Sequence, residues 1–206
     1  MKQEQRRQQT LQLLLETVKQ LIAEKGCDTI KMSDIMDRSG LSKGAIFHYV
    51  KTKDELFALL LQERLEEIDS RFVGEVNRPN KNNEFEGPLR EITNKLSMLE
   101  DRQDVTNQIV MYLLGKSGQP AVAEALQSFY EQSFRLSKQW IVTGQSHGVI
   151  PESIDADKTA ELFMLISFGL RMRSAIPVGT PAFSADDFAA FMADTLNPRS
   201  TERKEL

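Results

Sequence analysis

The residues of this chain best suited to chemistry fall within Ile30–Lys53, IKMSDIMDRSGLSKGAIFHYVKTK. Ser42, Lys43, Gly44, Ala45, His48 and Tyr49 bring small, hydroxyl, cationic and aromatic side chains to one face of a short helical stretch. That mixture suits a polyanion better than a reaction. Small residues let a helix sit deep in the DNA major groove, and Lys43 can reach phosphate or the acceptor edge of guanine. Ser42 and the N-terminal amides of the helix can bind phosphate. His48 and Tyr49 offer a donor and a flat face to the backbone. Covalent and metal chemistry is poorly supplied by comparison. The chain has two histidines, His48 on this face and His147 alone in a turn, and its single cysteine, Cys27, has no local histidine to activate it. No Cys/His cluster could hold zinc, and no glycine-rich stretch could cradle nucleotide phosphates. The expectation is a non-enzyme with no metal and no cofactor.

These residues need elements to hold them, and the sequence predicts helices throughout. Leu11, Leu14, Leu15, Val18 and Ile22 form an amphipathic stripe that Gly26 ends. A second helix runs over about 32–39, Gly40 breaks it, and a third runs over about 42–50. Gly40 fits a chain reversal where a positive φ is cheap. Ile35, Met36, Leu41, Ile46 and Val50 can then face inward against the first helix. A fourth, long helix covers 54–76, with Asp54 and Glu55 at its positive end. The stretch NRPNKNNEFEGP, 77–88, is the clearest linker. Further helical patterns cover about 88–100, 102–115, 120–144, 155–175 and 184–196, and the tail 198–206 is polar. The fold class is all-α, with about nine helices. Domain bounds are predicted at 1–53 for a three-helix head, with the helix-turn-helix over about 30–50, and at 54–197 for a second helical domain entered through helix four.

Charge divides the chain in the same place. Residues 1–53 hold ten Lys/Arg against six Asp/Glu, whereas 54–206 hold sixteen against twenty-four. A basic head on an acidic remainder suggests that one segment meets polyanions and the other does not. The opening MKQEQRRQQT has no leader-type apolar stretch, no run is long enough to span a bilayer, and the lone cysteine excludes an internal disulfide. These features predict a cytoplasmic protein that does not enter a membrane.

The segment of helix one ending in glycine, followed by DIM, SGLSKGAIFHYV and KTKDELF, resembles the TetR family of bacterial regulators. That family joins a helix-turn-helix bearing SKG to an aromatic-rich helix end and a K-x-K-x-x-L-F opening of helix four. The resemblance covers roughly residues 8–62; the remainder is similar only in helix count, length and acidic character. It implies DNA contacts from Ser42, Lys43, Gly44, Ala45, Phe47, His48, Tyr49 and Lys53. The family usually places Thr or Ser at the cap of helix two. Here Lys31 stands there, which replaces the hydroxyl contact with a charged one. The resemblance also implies a homodimer built on the last two helices. As a mechanism it implies a repressor that leaves a palindromic double-stranded DNA operator when a small effector binds.

The second domain is read from its apolar residues. The helix at 155–175 is apolar nearly all round and so must bury more than one face. Phe163, Ile166, Leu170, Phe188 and Met192 are the expected dimer interface. Met98, Met111, Leu114, Phe129, Phe134, Trp140, Phe163 and Phe168 are the expected lining of a cavity for a small, largely apolar effector, in an interior rich in adaptable Met and Phe. Two alternatives stay open on the sequence. One is an activator or low-specificity DNA-organising protein with the same head. The other is a helical ligand-binding or scaffold protein that has lost DNA binding.

Overall fold

The computed structural model of the chain describes residues 2–77, 86–177 and 179–197. Most of the linker and the whole polar tail 198–206 lie outside the described residues. Among the described residues all regular structure is helical: α1 (Lys2–Lys25), α2 (Met32–Ser39), α3 (Lys43–Phe47), α4 (Lys53–Val76), α5 (Glu86–Thr93), α6 (Val105–Leu114), α7 (Pro120–Ser146), α8 (Ala156–Ser174) and α9 (Ala185–Leu196). A 3-10 turn spans Leu96–Glu100. The all-α class and the helix count match the sequence reading.

The stretch predicted as one helix over 88–100 is broken into α5 and the 3-10 turn. Thr93 turns its hydroxyl back onto the Leu89 carbonyl at 3.1 Å. Thr and Asn94 are weak helix formers, and such local bonds compete with the helical ladder. α6 starts later than the predicted residue 102 because Asp104 caps it, accepting from the Asn107 amide at 3.0 Å.

The chain divides into two compact units. The first comprises residues 1–64 together with 103–129, and the second 65–102 together with 130–206. α4 and α7 each contribute residues to both. In the first unit, Leu14, Leu15, Val18, Leu21 and Ile22 of α1 are buried with Ile35 of α2, Ile46 of α3 and Leu56, Phe57, Leu60 and Leu61 of α4. α6 closes this core with Ile109, Val110, Tyr112 and Leu113, and the Phe57 ring meets the Tyr112 ring edge-on at 5.2 Å. Burial of so many aliphatic and aromatic side chains, each contributing about 1.5–3 kcal/mol, holds the short α2 and α3 in place. Helices of eight and five residues are too short to persist in isolation.

The second unit has its own core of Leu99, Ile141, Ile150, Ala160, Phe163, Leu170, Phe188, Met192 and Leu196. Phe163 packs edge-on against Phe188 at 5.9 Å. Glu100 ties this unit together at its polar margin. One carboxylate oxygen meets the Arg173 guanidinium and the other accepts from the Ala185 amide at 2.8 Å. That single side chain therefore fixes the end of α8 and the start of α9. Ser184 caps α9 in a reciprocal box with Asp187, and Asp155 caps α8 by accepting from the Lys158 amide. The hydroxyl and amide of Ser184 hold the Asp187 carboxyl below the usual carboxylate range.

Candidate nucleic-acid interface

Local chemistry fixes the turn before the candidate reading helix. α2 ends at Gly40, whose φ of 68° lies in the left-handed region, and its N–H reaches the Met36 carbonyl at 3.0 Å. The Leu41 amide donates to the Ser39 hydroxyl at 3.2 Å. Ser42 is then the cap of α3, its hydroxyl accepting from the Ala45 amide at 3.3 Å. Ile46 and Val50 are buried and anchor α3 from below. What α3 leaves outside is Ser42, Lys43, Gly44, Phe47 and His48, all exposed, with Ala45 and Tyr49 half-buried beside them. Lys43 and Phe47 are stacked, the ammonium 5.5 Å from the ring centre. His48 meets the Tyr49 ring edge-on at 5.4 Å.

Six of the residues singled out from the sequence, Ser42, Lys43, Gly44, Ala45, Phe47 and His48, thus lie together on α3 and its caps. Phe47 is 42% exposed with no core role, so an apolar, flat side chain stands open beside a cation. A surface of this kind offers phosphate a lysine and a hydroxyl, and offers base edges an apolar contact.

Three of the sequence-assigned residues stand elsewhere. Lys31 is the N-cap of α2 and its side chain is exposed, but the capping is done by Asp34, which accepts from the Lys31 amide at 2.9 Å. That bond, with the Lys25 ammonium 3.5 Å away, holds the Asp34 carboxyl below its usual range. Tyr49 donates its hydroxyl to the Arg7 carbonyl of α1 at 3.0 Å. A phenol has one hydrogen, so Tyr49 braces α1 against the end of α3 instead of presenting a donor to phosphate. Lys53 turns inward, and its ammonium donates to the carbonyls of Cys27, Asp28 and Ile30.

One feature of the head was not legible beforehand. Arg38 and Glu24 form a two-pronged pair at 3.0 and 2.8 Å across α2 and α1. They are fourteen positions apart, beyond any helical spacing rule. Cys27 is a small core residue, and its burial pushes the thiol up to about 12, away from the reactive thiolate. Among the described residues no cluster of His, Cys, Asp or Glu could hold a metal ion, and no helix is long and apolar enough to cross a membrane.

The expected interface residues of the second unit require a correction. Phe163, Leu170, Phe188 and Met192 are buried in their own core, with Ile166 half-buried against it. Side chains already buried within one chain have no surface left to give a second. The apolar residues that α8 leaves outside are Leu162, Leu165 and Met172, in line with exposed Gly169; Phe191 is the exposed one on α9. Positions 162, 165, 169 and 172 follow the three-and-four spacing of one helix face. The side chains expected to meet a second copy therefore pack within their own chain, and the open apolar side chains of α8 and α9 are different ones. The expected cavity residues are also divided. Met111, Leu114 and Phe129 belong to the first unit, and Met98, Phe134, Trp140, Phe163 and Phe168 to the second. Leu114 is exposed, Phe163 is core, Trp140 stacks near Phe72 while donating to Asp69 at 3.3 Å, and Phe168 lies beside Tyr130.

Comparison with known proteins places these features. The sequence model of bacterial regulatory proteins, tetR family, matches residues 14–60, the span of the helix-turn-helix and its supports. No curated protein matches the chain at significant similarity. Solved structures share the fold over nearly the whole chain. A TetR transcription regulator from Haloarcula marismortui is 16% identical, covering 92% of this chain and 97% of that one, with a TM-score of 0.66. A Salmonella enterica protein, GusR, is 18% identical, covering 91% and 95%, with a TM-score of 0.60. A protein from Saccharomonospora viridis solved in complex with choline is 20% identical, covering 91% and 95%, with a TM-score of 0.63.

Proposed function

The chain carries the helix-turn-helix head of the bacterial tetR-family regulators, and from that premise we propose that it is a ligand-responsive repressor binding a palindromic operator as a homodimer. The observation that carries this reading is the α3 surface. A capped, core-anchored helix exposes Ser42, Lys43, Gly44, Phe47 and His48 together, while its other side is buried. Two such helices related by a two-fold axis read two half-sites of matching symmetry. The second copy is held by the outer face of α8 and α9, where Leu162, Leu165, Met172 and Phe191 are open to water in a single chain. Large apolar side chains aligned on one face mark an interaction surface.

The effector is a small molecule with substantial apolar surface, taken up by the second unit, whose half-buried Trp140, Phe134 and Phe168 provide adaptable aromatic walls. The Saccharomonospora viridis protein of the same fold was solved with a small organic cation, choline, and aromatic faces are suited to a ligand of that kind. Release follows only if the effector prefers the conformation that cannot bind DNA.

Selection from random duplexes with the purified chain tests the reading. The expected result is enrichment of an inverted repeat whose binding weakens steeply with salt, as counterion release requires. Enrichment of no sequence, with binding equal across duplexes, would favour a low-specificity DNA-organising protein instead.

A further inference from the structure

The Lys53 ammonium lies at the turn between α1 and α2, 3.0 Å from the Cys27 carbonyl, 3.2 Å from that of Asp28 and 2.9 Å from that of Ile30. An ammonium has three hydrogens, and three convergent carbonyls match them one for one. Its other flank faces aromatic rings. The nitrogen is 5.1 Å from the centre of Tyr112 on α6 and 6.0 Å from that of Phe57. Nothing is left over for a phosphate unless this arrangement is dismantled.

Tyr112 is itself locked. Its hydroxyl donates to Asp54, the neighbour of Lys53, at 2.8 Å, and accepts from Lys116. Lys116 also reaches the Asp54 carboxylate at 3.2 Å. One α6 side chain therefore engages the first two residues of α4, by its ring face on Lys53 and by its hydroxyl on Asp54. All these groups belong to the first unit. The turn they hold leads directly into α2, whose cap residue, Lys31, follows Ile30. From α2 the chain passes through Gly40 to α3.

On this geometry we infer that Lys53 is a positioning residue of the DNA interface and not a contact in it, and that Tyr112 of α6 holds it in that role. The inference rests on the DNA-binding reading above. Lys53 sets the entry of the helix-turn-helix by gathering the carbonyls of the preceding turn. A shift of α6 reaches that turn through a single ammonium. Carbonyl dipoles and the ring quadrupole both favour the seat, since cations prefer the face of a desolvated aromatic, and Tyr112 is only 8% exposed.

Two measurements on the full chain test this. The first titrates a selected duplex against salt. Lys53→Met is expected to weaken binding at least tenfold with the slope of log affinity against log salt unchanged. A slope shallower by about 0.9, the signature of one lost phosphate contact, would make Lys53 a DNA contact and overturn the inference. The second needs no DNA. Hydrogen exchange at the bonded amides of Lys31, Asp34 and Ile35 is expected to quicken at least tenfold in Lys53→Met and in Tyr112→Leu, with no further gain in the double variant. Unchanged exchange in Lys53→Met, or additive effects of the two, would overturn it. Tyr112→Phe keeps the ring and is the milder variant if Tyr112→Leu fails to fold; it is expected to quicken the same amides by less. If the parent chain binds no duplex, the DNA reading falls and the interface role with it, while exchange still decides whether Tyr112 holds Lys53.

Discussion

Replacing Leu165 should separate assembly from folding. Leu165 is 60% exposed in the single chain and lies midway along the outer face of α8. Fully burying a leucine side chain contributes about 1.5–3 kcal/mol, so burying the part still open contributes about 1–2 kcal/mol. A two-fold interface uses every residue twice, which doubles this to about 2–4 kcal/mol per dimer. At about 1.4 kcal/mol per factor of ten, Leu165→Ala should raise the dimer dissociation constant by about 30- to 700-fold. Leu165→Glu adds the cost of burying two like charges and should give a monomer at micromolar concentration. Sedimentation velocity or light scattering reads the mass, and thermal unfolding reports whether the chain is intact. The contrast is Phe163→Ala, buried in the core of the second unit, which should cost about 3–5 kcal/mol of folding stability. A Leu165→Glu protein of unchanged mass would refute the placement of the interface on this face.

Other outcomes follow from the same geometry. Ser42→Ala removes the N-terminal side-chain cap of α3 and should lower head stability by about 1 kcal/mol, seen as faster exchange in 42–50. Lys43→Ala should weaken DNA binding and make its salt slope shallower by about 0.9, the opposite pattern to Lys53. Asp34, Asp155 and Asp187 carry carboxyls held below their usual range by hydrogen bonds at helix starts. Their stabilising effect is present above the unfolded pKa, about 3.9, and is lost as pH falls through the lower folded value. Unfolding temperature should therefore drop below about pH 4, and less steeply in Asp187→Asn. Cys27, with its thiol raised to about 12 by burial, should resist maleimide at neutral pH until the chain unfolds; labelling of the native chain would contradict its burial.

The exposed face of α3 and the turn before it were legible in the sequence because their signals are local. Gly40 must break a helix, Ser42 must cap one, and Ile46 and Val50 must face away from Lys43 and Phe47. Periodicity also located α8 and α9, but it could not tell which side of a nearly all-apolar helix meets its own core. Phe163 and Leu165 are two positions apart, both apolar, and only packing against Phe188 decides between them. The role of Lys53 was out of reach for a different reason. Its partners lie at 27–30 and at 112, distances along the chain over which side-chain type carries no pairing information. The family resemblance pointed it at phosphate, and its own carbonyl partners turn it inward.

The head of this protein is assembled from pieces that are far apart in the chain. Tyr112, Leu113 and their neighbours close the core that Leu14 and Phe57 begin. During synthesis α1 to α4 thus emerge before the α6 residues that complete their core. The proposed DNA-binding surface therefore rests on a core that is incomplete until residues of α6 emerge. For anyone building chimeras, the transferable part is not an N-terminal fragment but residues 1–64 grafted together with 103–129.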